Sequence, residues 1–198
     1  VNELKVAYLV IGYDHQFGRN RVGNLNLLKE LSLLYSFNIE EISAQEINEI
    51  KVSSTKIRNA IKIGDFGIAN KYLGHPFTIT GTVKEGEKLG RTIGFPTANI
   101  QTLDFDKINP GNGVYAVKTI IDEKTHKGMM NIGVRPTVNN KEIITKEVHL
   151  FNFNENIYDK KITIEFFARI REEKKFHDID LLKLQLVDDQ KKSMQILS

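Results

Sequence analysis

The apolar pattern of this chain changes period at Gly74-His75-Pro76, and that change limits the folds open to it. Before it, residues 5–11 form a β-rich apolar run and residues 24–37 carry Leu25, Leu28, Leu31 and Leu34 at three-residue steps. A short β-rich run at residues 38–42 completes β-α-β order. Ser53-Ser54 then cap a helix that reaches Ile63 and is closed by Gly64, and a second short helix ends at Leu73. After Phe77 the helical spacing gives way to short β-rich runs at residues 77–84, 113–121, 127–134, 145–153 and 161–170. Clusters of Gly, Asn, Asp and Pro separate them, the spacing of an antiparallel barrel or sandwich. From Asp178 onward, Ile179, Leu182, Leu186, Met194 and Leu197 recur among charged residues, which predicts a C-terminal amphipathic helix packed on that β domain. The expected organisation is an α/β segment over residues 1–76 and an all-β domain over residues 77–198.

With 198 residues and 40% hydrophobic content, the chain can bury a core in one large domain or two small ones. No run of about 18 apolar residues is present to span a membrane. The apolar stretch near Val1 is too short for a signal peptide and reads as a chain entering mid-domain. A net charge of +3, from 28 basic and 25 acidic residues, permits anionic ligands without implying a nucleic-acid binder. The absence of cysteine excludes disulfides and thiolate metal sites; it fits a cytoplasmic location, though some exported proteins share it.

Chemistry concentrates between Gly81 and Ile100. Gly86, Gly90 and Gly94 let backbone amides approach phosphate oxygens, and Lys84, Lys88 and Arg91 add positive charge. Thr97 and Asn99, two residues apart, share a face if the segment is extended and offer neutral oxygens to a hard cation such as Mg²⁺. No Gly-Lys-Ser/Thr follows the glycines, so this is not a Walker loop, and an ordinary hairpin accounts for the glycine count equally well. Glu147 stands in an otherwise apolar strand-like run, where a carboxylate is costly to bury without a partner, although an outward-facing carboxylate explains it as simply. His149 should project from the same strand face, most simply as a packed structural histidine. Ser53, Ser54, Thr55 and Arg58 begin a helix and could grip a phosphate, with a plain N-cap as the blander reading.

The run from Gly81 to Ile100 resembles the signature of riboflavin kinases, in which a glycine loop leads into the same Pro96-Thr97-Ala98-Asn99. Gly113-Val-Tyr-Ala-Val117, Met130-Asn-Ile-Gly-Val-Arg-Pro-Thr137, Glu147-Val-His-Leu-Phe-Asn-Phe153 and Arg169-Ile-Arg-Glu-Glu-Lys-Lys-Phe176 follow in the family's order. Gly12-Tyr-Asp-His-Gln-Phe-Gly18 and Ser53-Ser-Thr-Lys-Ile-Arg58 look like the second half of the adenylyltransferase domain that precedes the kinase in bacterial bifunctional riboflavin kinases and FAD synthetases. The resemblance implies a Rossmann-like α/β fragment, then a six-stranded Greek-key barrel with a C-terminal helix. It implies phosphorylation of riboflavin to FMN by ATP and Mg²⁺. By match, Glu147 is the catalytic base, Thr97 and Asn99 hold the metal, Gly86 and Arg91 contact ATP, and Arg171 and Phe176 cover the flavin. Ser53, Ser54, Thr55 and Arg58 inherit a role at adenylyltransferase phosphates. The family's His-x-Gly-His motif is absent from these residues, and neither His15 nor His75 replaces it by spacing, so FMN adenylylation to FAD is not expected of this polypeptide alone. Arg135-Pro136 matches a family turn and is expected to be structural. The rival expectation is a non-catalytic barrel that holds flavin, or one that binds oligonucleotides through Lys84, Lys88 and Arg91.

Overall fold

The computed structural model describes residues 5–43, 46–47, 50–86, 89–102, 107–136 and 142–198. Two compact units divide the chain, Val1–Val52 and Ser53–Ser198.

In the first unit, strand β1 (Tyr8–Gly12) and strand β2 (Asn38–Ile42) pair in parallel from Tyr8↔Asn38 to Gly12↔Ile42, joined through helix α1 (Leu25–Tyr35). Asn24 caps α1, its side-chain oxygen accepting from the Leu27 amide at 3.1 Å, and Ser36 ends it in the left-handed region. A small antiparallel pair follows, β3 (Glu46–Ile47) with β4 (Ile50–Lys51). The three-residue leucine step buries Leu28 but leaves Leu34 exposed, since a 3.6-residue turn carries the stripe off the inner face.

The second unit opens with α2 (Ser54–Ile63) and α3 (Phe66–Leu73), capped by Ser53 and Asp65 and closed by Gly64 and Gly74, both at positive φ. Six antiparallel strands follow: β5 (Phe77–Lys84), β6 (Ala98–Thr102), β7 (Gly113–Ile121), β8 (Lys124–Pro136), β9 (Glu142–Leu150) and β10 (Lys161–Arg171). A single helical turn, α4 (Leu89–Thr92), lies between β5 and β6, and α5 (Ile179–Ile196) ends the unit. The strands close into a barrel in the order β10-β5-β6-β9-β8-β7, which leaves no open sheet edge. Alternate residues point inward, so Tyr115, Val117, Met130, Ile132, Val148, Ile162, Ile164 and Phe166 fill the interior.

The boundary expected between residues 76 and 77 falls inside this compact unit. Ala60, Ile61, Phe66 and Ala69 of α2 and α3 belong to the barrel's own apolar core, with the Phe66 ring 4.9 Å from that of Phe166. Asn70 fastens the join, donating to the Phe166 carbonyl and accepting from the Phe77 amide, both at 2.8 Å. The strand expected at 145–153 runs instead over Glu142–Leu150, because the chain turns at Asn152 with φ 53°. In α5 and its C-cap, Leu182, Leu186 and Leu197 lie on the expected inner face, which also carries the buried Asp189 and Ser193, while Ile179 and Met194 are exposed.

Candidate active site

Three adjacent strands set the site. Asn99 of β6 and Asn131 of β8 both stand opposite Glu147 of β9 in register, so the three side chains share one outer face of the barrel wall. Thr97, two residues before Asn99, donates its hydroxyl to Glu147 Oε2 at 3.4 Å. Gly86 and Gly90 lie against this row. A Cβ at Gly86 would overlap the Asn99 amide, and one at Gly90 would overlap the Phe95 carbonyl, so glycine is what allows the backbone to lie so near. The Phe95 amide bonds to the Gly90 carbonyl at 2.8 Å, drawing the loop tight before Pro96.

Two cavities meet at Thr97. The first, of about 310 Å³, runs between the barrel wall and α5; Val114, Met129 and Leu186 give it apolar sides, and Asn131, Thr145 and Glu147 supply polar groups. Phe176 and Arg171 line it from the segment that follows β10. The second, of about 460 Å³, lies beside Arg91, Phe153, Asn156 and Tyr158. Arg91 donates to the Tyr158 hydroxyl at 2.9 Å. Thr97 lines both cavities, and Glu147 faces the first.

The groups around the first cavity are held firmly. Arg171 Nε lies 3.0 and 2.9 Å from the Asp189 oxygens and Nη2 lies 2.8 Å from Oδ2, an ion pair whose carboxylate is 0% exposed. Gln185 donates to the same carboxylate at 2.9 Å. Arg171 therefore ties β10 to α5 as well as lining the cavity, with its guanidinium 5.8 Å from the Phe176 ring. His149 is buried beside Phe95 and Phe151, and its Nδ1 is 2.7 Å from the Pro96 carbonyl. Burial pushes the imidazole pKa below its ordinary value, an effect the bond to Pro96 offsets in part. On the opposite, inward face of β9, Lys146 is 7% exposed and has the Thr102 hydroxyl at 3.2 Å; burial lowers its pKa.

Thr97, Asn99 and Glu147 form an all-oxygen set, and the notch at Gly86 holds the Asn99 amide in line with it. No group of three or more His, Cys, Asp or Glu side chains able to hold a metal occurs among the described residues. That combination fits Mg²⁺, which takes few protein ligands and completes its shell with phosphates and water.

The sequence-predicted residues thus separate into two groups. Thr97, Asn99, Glu147, Arg171 and Phe176 converge on the first cavity, Arg91 lines the second, and Gly86 touches Asn99. Ser53, Ser54, Thr55 and Arg58 are exposed on α2 and line neither cavity; the Ser53 oxygen is engaged as the N-cap, accepting from Lys56 at 3.3 Å. Arg135 and Pro136 continue the β8 ladder opposite Ile143 and Glu142 and do not form a turn. His15 and His75 are exposed, and Lys88 lies outside the described residues. Lys84 is engaged by Asp159 at 2.6 Å, and Phe95, the aromatic of the loop itself, is buried. Asn131 joins the site with no local sequence signal, because only the strand register sets it opposite Glu147.

The profile of the riboflavin kinase family matches residues 73–197, and that of FAD synthetase matches residues 1–56. The chain belongs to the riboflavin kinase family. Among curated relatives, a bifunctional riboflavin kinase/FMN adenylyltransferase from Pseudomonas fluorescens is 40% identical over 183 residues, covering 92% of this chain and 58% of the relative. Its counterpart from Haemophilus influenzae is 43% identical over 190 residues, covering 96% and 61%. The chain thus spans about 60% of the length of these relatives. A crystal structure described as a macrolide-efflux protein from Streptococcus pneumoniae matches with a TM-score of 0.82 at 33% identity, covering 93% of this chain and 60% of that one. In the present chain no described helix is long and apolar enough to cross a membrane.

Proposed function

We propose that residues 77–198 are the catalytic domain of an ATP:riboflavin 5′-phosphotransferase, with riboflavin in the first cavity and the nucleotide in the second. The observation that carries this reading is the meeting of the two cavities at Thr97, with Glu147 beside it at 3.4 Å. Transfer of a phosphoryl group to a primary alcohol needs both substrates aligned across such a junction and a group to take the hydroxyl proton. Glu147 accepts the proton of the riboflavin 5′-hydroxyl as its oxygen bonds to the γ-phosphorus and the bond from that phosphorus to the ADP oxygen breaks. Thr97 and Asn99 would hold a magnesium ion, which neutralises charge on the phosphates. Arg91 and the backbone at Gly86 orient the nucleotide, while Phe176 and Arg171 close over the ring system of the flavin. Closed over in this way, the reacting atoms are shielded from water, which would otherwise compete for the phosphoryl group.

The parallel β1-α1-β2 unit and the family match over residues 1–56 support reading the first unit as part of a Rossmann-like adenylyltransferase domain; Ser53, Ser54, Thr55 and Arg58, at the start of α2, are the candidates for its phosphate chemistry. None of the four lines either cavity, so the kinase reaction does not call on them. A reducing cytoplasm, where ATP is at hand, is the compartment this reading requires. Incubating the chain with riboflavin, ATP and Mg²⁺ and separating the flavins should yield FMN and no FAD. A folded barrel that binds riboflavin but makes no FMN would point to a non-catalytic flavin-binding role.

A further inference from the structure

The ladder between β6 and β9 ends where the chemistry begins. Its pairs are Ala98↔Val148 and Asn99↔Glu147, and one step further in the same register stand Thr97 and His149. Pro96 precedes Thr97 and has no N–H to offer, so this end of the segment cannot be secured by a full exchange of backbone bonds. The His149 side chain makes the missing connection, with Nδ1 at 2.7 Å from the Pro96 carbonyl and the ring wedged between Phe95, at 5.2 Å, and Phe151, at 5.7 Å. A carbonyl can only accept, so a hydrogen bond here requires the proton on Nδ1.

We propose that His149, held as its Nδ1–H tautomer, is a positioning residue that pins the Pro96 carbonyl and thereby keeps the Thr97 hydroxyl against Glu147 at the junction of the two cavities. This rests on the kinase reading for its functional meaning. The geometry itself does not depend on that reading. His149 acts through Pro96 and Thr97, and its ring also lines the first cavity, so the effect that isolates its donor is read on the metal–nucleotide side of the site, with the fold spared.

Two substitutions separate a donor from a packing group. His149→Asn places an amide nitrogen where Nδ1 stands and keeps a donor while giving up ring contacts. His149→Phe keeps an aromatic ring between Phe95 and Phe151 and removes the donor. Calorimetric titration with MgADP should show affinity lowered about three- to tenfold in H149F, the worth of one hydrogen bond, and largely restored in H149N. The Mg²⁺ concentration for half-maximal FMN formation should rise in the same order. A packing role predicts the opposite ranking, and H149F binding MgADP as well as H149N or better would overturn the proposal. Long-range ¹H–¹⁵N correlation on the unmodified chain without ligand tests it independently of any variant's folding. A protonated Nδ1 supports it, and a bare Nδ1 overturns it. Failure of the unmodified chain to make FMN would count against the kinase reading alone, because the tautomer and the MgADP ranking remain readable without turnover.

Discussion

The two compact units of this chain are built on opposite terms. In the first, Ile11, Leu28 and Phe37 are the buried apolar side chains among the described residues, while Tyr8, Val10, Leu33, Leu34 and Ile42 stand exposed. Parallel strands are ordinarily covered on both faces and flanked by further strands, and a two-stranded pair has little with which to stabilise itself. The second unit closes its sheet, fills it with interdigitated side chains, and covers one end with α2 and α3 through Phe66, Phe77, Tyr115 and Phe166. The contrast teaches where precision is available. A site that must hold a hydroxyl, an amide and a carboxylate in one small region needs a rigid wall, and only the barrel supplies one.

If the barrel wall carries the chemistry, Glu147→Gln should lower FMN formation by about two to four orders of magnitude while thermal unfolding stays as in the unmodified chain. Retained turnover would remove Glu147 as the base. Phe66→Ala tests whether α3 is part of the barrel unit; it should cost about 3–5 kcal/mol in urea unfolding followed by barrel signals, and a silent result would detach the helices from the core. Lys146→Met should stabilise the fold by about 1 kcal/mol at neutral pH, since it replaces a buried amine whose partner among the described residues is the neutral Thr102 hydroxyl. Burial holds the folded-state pKa of Lys146 below 10.5, so the folded chain binds fewer protons than the unfolded one between these two values. The stability of the unmodified chain therefore rises with pH through that window, and the advantage of the methionine should shrink as pH approaches 10.5. The smallest effect belongs to the first unit: a chain starting at Ser53 should keep its thermal midpoint and form FMN within about twofold of the parent rate.

The sequence carried much of this architecture because its local signals agree. Ser53, Gly64 and Gly74 punctuate α2 and α3 as expected, and the β-rich runs after Phe77 become barrel strands. Thr97, Asn99 and Glu147 were legible by resemblance, and the structure brings them together. What remained hidden depends on contacts distant in sequence. Asp189 reads as a solvent-facing charge on an amphipathic helix until Arg171, on another element, is seen to satisfy it. Lys146 alternates with Glu147 and gives no local sign that it points into the barrel. Asn131 needs the β8–β9 register, and the unit boundary at Ser53 needs the docking of Phe66, neither of which a period of 2 or 3.6 residues encodes.

If riboflavin and nucleotide occupy two adjoining cavities that share Thr97 as a wall, each should bind without displacing the other. Titration of the chain with riboflavin, followed by quenching of flavin fluorescence, should be run with and without saturating MgADP. Riboflavin should bind in both cases, with its affinity unchanged or increased by the nucleotide. Displacement of riboflavin by MgADP, with affinity falling in proportion to nucleotide concentration, would mean a single shared site and would contradict that arrangement.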